Sequence, residues 1–134
     1  MPIDTVIAEL ASMYGREYEG ETPSVARIGN ADIERWRATL AISTEALFEL
    51  LALRLALGFY RNELSFSFCD RVVNEIHAIM VAAGQNRPDV FWDVYLAFDE
   101  GEYVHSEDPD EDPVASYTRP RIAQIVAKYG DRLA

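Results

Sequence analysis

Three features that define large classes of protein are scarce in this sequence: cysteine, long apolar runs and basic charge. A single cysteine, Cys69, excludes an internal disulfide framework and is typical of a reducing compartment. The most apolar stretch, residues 46–60, contains Glu49 and Arg54 and is too short to cross a bilayer. The N-terminus lacks the basic start and apolar run of a signal peptide. We therefore expect a cytoplasmic protein.

The charge of the chain is strongly one-sided. It has 23 acidic and 12 basic residues, so its formal net charge is −11. Such a charge opposes binding to nucleic-acid phosphates and to anionic membranes, and we expect neither as a partner. The 134 residues, of which 49% are apolar, suffice for one hydrophobic core and are too few for two. We expect one domain that covers residues 1–134.

Apolar residues recur with helical spacing throughout, which predicts an all-α domain of five or six helices, orthogonal or bundle-like. Residues 31–60 form either one long helix or two helices that break near Ser43 and Thr44. The second half of this segment is rich in leucine around most of its circumference, which is typical of a central helix. The remaining helix boundaries are predicted from capping residues: starts at Asp4, Asn30, Ser65 or Ser67, Pro88 and Thr118, and ends at Gly15, Gly84, Gly101 and Gly130. Residues 16–30 are predicted to be a loop.

Acidic residues are concentrated in one part of the chain. Residues 88–118 contain ten carboxylates and neither Lys nor Arg. A solvated loop that aids solubility is one interpretation, and a docking surface that attracts a basic protein is the other. Within this interval we predict a set of partner-binding residues: Asp99, Glu100, Glu102, Tyr103, Glu107, Asp108, Asp110, Glu111 and Asp112.

The favoured function is therefore a small, acidic, non-enzymatic protein-binding domain. An immunity-type inhibitor that covers the basic active site of a toxin is one concrete form, because shape and negative charge suffice for that task. One alternative is a homo-oligomer, for instance a homodimer, in which the leucine-rich helix is partly an interface. We predict no cofactor and no catalytic residue.

A second alternative is a metal-dependent or acid–base enzyme. Asp70, Asn74 and His77 lie on one stripe of their predicted helix and could form half of a site or a structural hydrogen-bonded strip. Asp108, Asp110 and Asp112 alternate as in a calcium-binding loop. Pro113 and Arg119 stand where such a loop needs its glycine and its bidentate glutamate, so no calcium site is predicted.

Arg54 is unusual because it falls within an arc of leucines. A charge in such a place must be paired, reach the edge of the core or face a partner. We predict a largely buried Arg54 in an ion pair with Asp99 or Asp70. Cys69 lies on the apolar arc of its helix, and we expect a buried, inert thiol.

Overall fold

The computed structural model describes residues 1–14 and 28–133, and six α-helices account for most of them. They are α1 (Ile3–Tyr14), α2 (Asn30–Leu40), α3 (Thr44–Tyr60), α4 (Phe66–Ala83), α5 (Asp89–Asp99) and α6 (Arg119–Tyr129). Short 3₁₀ turns cover Glu100–Glu102 and Gly130–Leu133, and a π-helical turn covers Val114–Thr118. Since the described ranges contain no strand, the prediction of an all-α fold with five or six helices is confirmed.

Serine hydroxyls begin two of the helices. Ser43 Oγ accepts a hydrogen bond from the Ala46 amide at 3.1 Å, and Ser65 Oγ accepts one from the Phe68 amide at 3.2 Å. Each bond satisfies a backbone donor that has no partner inside the helix. Of the two predictions for residues 31–60, the break at Ser43 is therefore the correct one. The chain reverses there through Ala41, whose φ of 56° ends α2 in the left-handed region.

The leucine-rich helix α3 is the centre of the fold. It packs against each of the other five helices. Its apolar residues lie on nearly every side, and those with at most 1% exposure are Leu47, Phe48, Leu51, Ala52, Leu53, Leu55 and Ala56. A helix that is apolar all round must be covered on several sides, which explains this central position. Because the chain's own helices cover most of α3, little of it remains for the homodimer interface considered above.

Four predicted helix boundaries differ from those of the structure. Asp4 and Asn30 lie within α1 and α2 instead of capping them, and α5 ends at Asp99 instead of Gly101. Thr118 does not cap α6: its backbone is already helical, and its buried Oγ1 donates to the Ala97 carbonyl at 2.7 Å. The π-helical turn before it runs directly into α6, so no free helix start exists at that point. The predicted cap at Gly15 and most of the predicted loop 16–30 lie outside the described residues. None of the described helices has the length and apolar character that a membrane crossing requires.

Candidate protein-binding surface

The acidic segment, residues 99–112, leaves α5 through the 3₁₀ turn Glu100–Glu102 and ends at the π-helical turn. Of the ten carboxylates in residues 88–118, Glu100 is the only one in an ion pair with another described residue, which is Arg121. The negative charge of this region is therefore hardly neutralised from within the described chain. An unneutralised patch of one sign attracts a partner of the opposite sign from a distance.

Glu111 holds the acidic segment together. Its Oε2 accepts hydrogen bonds from the backbone amides of His105 at 2.8 Å and Ser106 at 3.1 Å, and its Oε1 accepts one from the Tyr117 hydroxyl at 2.6 Å. The Tyr117 bond, followed by the two amides, lowers the pKa of Glu111, and the same bond raises the pKa of Tyr117. Glu111 was predicted as a partner-binding residue, but its carboxylate is already used inside the loop.

Two aspartates also bond to the backbone of their own loop. Asp108 Oδ1 accepts from the Asp110 amide at 2.9 Å. Asp112 Oδ1 accepts from the amides of Val114 at 3.1 Å and Ala115 at 3.3 Å. Such bonds from a carboxylate to amides two or three residues ahead are typical of turns and helix starts. They give the exposed acidic loop a defined backbone path.

Aromatic rings support the same loop. The His105 ring lies between Tyr103 and Tyr117, with centroid distances of 4.2 and 4.0 Å. His105 Nε2 lies 2.7 Å from the Glu100 carbonyl oxygen, so it donates to that carbonyl. Sequence reasoning missed His105 as a member of this cluster. The contact between His105 and Tyr103 could be expected, because the two residues are close in the sequence. The contact between His105 and Tyr117 depends on the turn that lies between these two residues.

What remains accessible is a small surface with an apolar centre. Tyr103 and Val104 are 53% and 52% exposed, which is unusual for large apolar residues. The exposed acidic residues of the same segment surround them in sequence, and together these residues define the acidic face: Glu102, Tyr103, Val104, Glu107, Asp108 and Asp110. Five surface cavities of the described chain lie elsewhere, and no residue between 94 and 120 lines any of them.

The stripe of Asp70, Asn74 and His77 separates into two groups. Asn74 Nδ2 donates to the Asp70 carbonyl at 2.7 Å and to Asp70 Oδ1 at 3.1 Å. His77 instead stacks on Tyr95, with centroids 4.3 Å apart, and its Nε2 lies 3.3 Å from Arg87 Nη1. Burial and then the Arg87 charge lower the pKa of His77. Within residues 1–14 and 28–133, no group of three His, Cys, Asp or Glu side chains has an arrangement that could hold a metal ion.

Asp70 has the most unusual environment of the carboxyl groups. Burial, followed by the nearby Glu102 and Asp99, raises the pKa of Asp70 to about 8, while the Asn74 bond acts in the opposite direction. Burial and the same acidic neighbours also raise the pKa of Tyr95. Asp99 and Glu102, both predicted partner-binding residues, therefore lie beside Asp70, at the junction of α4 and α5.

Arg54 is largely buried as predicted, with 13% of its side chain exposed, but the predicted partners are wrong. Arg54 Nε donates to Asp4 Oδ1 at 2.6 Å, and Nη2 lies 3.4 Å from Glu63 Oε2. The guanidinium faces α1 and the turn after α3, whereas Asp99 and Asp70 lie at the junction of α4 and α5. Cys69 is fully buried as predicted; burial raises the pKa of its thiol, so the thiol stays protonated and unreactive.

Comparison with known proteins adds no relationship. No protein-family model matches the chain, and the searches of curated proteins and of solved structures found no significant match. The function must therefore be inferred from the surface itself.

Proposed function

We propose that this chain is a non-enzymatic binding module that engages a basic protein partner through the acidic face. The observation that carries the proposal is the combination of fixed backbone, free negative charge and an exposed apolar centre in residues 102–110. An apolar or aromatic centre with a charged rim is the common anatomy of protein interfaces.

The internal bonds of the acidic segment support this function rather than a simple solubility loop. A solubility loop needs only charge, whereas here the carboxylates of Glu111 and Asp112 accept hydrogen bonds from nearby backbone amides. A loop that is already ordered loses less conformational entropy on binding than a flexible one. The charge of the face then speeds encounter with a basic surface, and the speed depends on salt. An inhibitor of a basic toxin is one form of such a module.

The hydrogen bonds within the acidic segment determine which carboxylates a binding test can change. Neutralising Glu111 or Asp112 would disturb the loop itself, and Glu102 lies beside Asp70, so the binding variant changes only Glu107→Gln and Asp110→Asn. A matched control removes two exposed carboxylates elsewhere: Glu45→Gln and Asp131→Asn. Each variant changes the formal charge by two, from −11 to −9.

The immobilised wild type, the face variant and the control are compared for capture from a lysate of the source organism, with identification by mass spectrometry. We expect a basic protein that the wild type and the control retain and that the face variant loses. Its association rate should fall steeply as the Debye length shortens from about 10 Å at 0.1 M salt to about 3 Å at 1 M. Equal capture by the face variant and the control would contradict the proposal.

A further inference from the structure

Three aromatic rings from the acidic segment and the π-helical turn form one stack. The His105 ring is in the middle, and its centroid lies 4.2 Å from that of Tyr103 and 4.0 Å from that of Tyr117. The planes of Tyr103 and His105 differ by 26°, so these two rings lie nearly face to face. Among the described residues, His105 is the only ring in contact with Tyr103. Tyr103 is therefore the outer end of the stack, with one face covered and the other open.

Hydrogen bonds fix the two inner rings of the stack. The Tyr117 hydroxyl donates to Glu111 Oε1 at 2.6 Å, and His105 Nε2 donates to the Glu100 carbonyl at 2.7 Å. Tyr103 packs on this fixed support and is nevertheless 53% exposed. A ring that is already held in place loses little conformational entropy when a ligand stacks on its open face.

The open face of Tyr103 has no cation of its own chain. Five other rings of the described chain do have one, at 3.9 to 5.8 Å from the ring centroid: Tyr14, Trp36, Phe59, Trp92 and Tyr129. The electron-rich face of an aromatic ring attracts cations, and arginine is the more frequent partner. Since residues 88–118 contain neither Lys nor Arg, no basic residue near Tyr103 in the sequence can supply one.

The charges beside Tyr103 favour a guanidinium group over an ammonium group. Glu102 and Glu107 are exposed, and neither forms an ion pair with another described residue. A lysine ammonium is a compact and strongly hydrated charge. A guanidinium group is planar and less hydrated, so it can stack on a ring while its edge binds a carboxylate. An arginine side chain can therefore use the ring and the carboxylates at the same time.

We propose that the open face of Tyr103 binds an arginine side chain of the basic partner, with the guanidinium group stacked on the ring and its edge toward the carboxylates of the acidic face. This inference rests on the proposed function and narrows the partner to a protein that exposes an arginine in its contact surface. The ring of Tyr103 is required for this contact, and its hydroxyl group is not. A partner surface that offers only lysines binds less tightly at equal charge.

The test compares two seven-residue peptides of equal charge, in which three arginines or three lysines are separated by Gly-Ser. NMR titrations of the wild-type protein at constant salt measure the affinity for each peptide. We expect the arginine peptide to bind about two- to fivefold more tightly, which corresponds to an exposed cation–π contact. Nuclear Overhauser effects should connect its arginine side chains with the ring protons of Tyr103. Equal affinities, or the absence of these effects, would overturn the proposal.

Three variants locate the preference for arginine. Tyr103→Leu should abolish it, while the lysine peptide still binds through charge. Tyr103→Phe retains the ring and should retain the preference, so its loss there would contradict a contact with the ring face even if Tyr103→Leu disturbs the loop. Tyr60→Leu is the matched control, because Tyr60 is 49% exposed at the end of α3, and this variant should keep the preference. A preference that persists in Tyr103→Leu would also overturn the proposal.

The peptide experiment and the capture experiment can fail separately. Capture depends on the charges of Glu107 and Asp110 and on a partner from the lysate, whereas the peptide comparison holds charge constant and needs no partner. Equal affinity for the two peptides, together with loss of capture by the face variant, would refute the arginine site and leave the proposed function standing. Equal capture by the face variant and its control would instead contradict the proposed function, whatever the peptides show.

Discussion

Replacing Arg54 tests how a charge is accommodated against the central helix. Arg54→Ala removes two buried methylene groups of the stem, worth about 0.8 kcal/mol each. It also removes an ion pair whose acidic partners are 47% and 49% exposed, so the pair should be worth about 1 kcal/mol, near the upper end for surface pairs and well below the buried range. We expect a total loss of about 2.5 kcal/mol in the free energy of unfolding.

Arg54→Met separates the two contributions. Methionine retains an apolar stem in the same space and removes the guanidinium, including Nη1, which is buried and without a hydrogen-bond partner in the described structure. The expected loss is about 1 kcal/mol or less. Arg37→Ala is the control, because Arg37 forms an exposed pair with Glu34 within one helix at 2.8 Å. Its loss should be about 0.3–0.5 kcal/mol.

Urea unfolding at neutral pH measures all three variants. Equal losses for Arg54→Ala and Arg54→Met would show that the charge, and not the stem, supplies the stability. A loss for Arg54→Ala as small as that for Arg37→Ala would refute the argument from burial altogether. The slope of the unfolding transition should stay constant, since a change in slope would indicate an altered unfolded or native state.

Two further predictions concern packing and acid sensitivity. Gly101→Ala places a methyl group against Thr118 Oγ1 and the Phe66 ring and should cost about 1–3 kcal/mol. Gly130→Ala, whose nearest neighbour would lie 3.7 Å away, should change stability by at most about 1 kcal/mol. Equal urea midpoints for the two variants would contradict the tight packing. The Arg54 hydrogen bond lowers the pKa of Asp4, so the stabilisation by this pair is present above the ordinary pKa of 3.8 and is lost as the pH falls through the lowered value. The stability difference between the wild type and Asp4→Asn should therefore shrink from pH 5 to pH 2, and a constant difference would assign the effect of the substitution to another cause.

Most of the helices and several of their ends could be predicted from the sequence, because the forces that set them are local. Ser65 begins α4 and Gly84, with φ of 65°, ends it as the capping pattern predicts. The central place of α3 followed from its apolar circumference, and the burial of Arg54 followed from the leucines around it. The concentration of carboxylates was likewise visible as composition, without any knowledge of the fold.

The pairing of charges and the use of each carboxylate were decided only by the tertiary structure. Asp4 lies 50 positions before Arg54 in the chain, and nothing in local sequence spacing shows that α1 brings it to the guanidinium. In the same way, the ten acidic residues cannot be told apart in the sequence. In the structure, the carboxylate of Glu111 accepts hydrogen bonds from its own loop, and Glu102 lies beside Asp70 of α4. Helix formation depends on neighbours within about four residues, whereas these contacts depend on how separate helices pack, which many residues determine together.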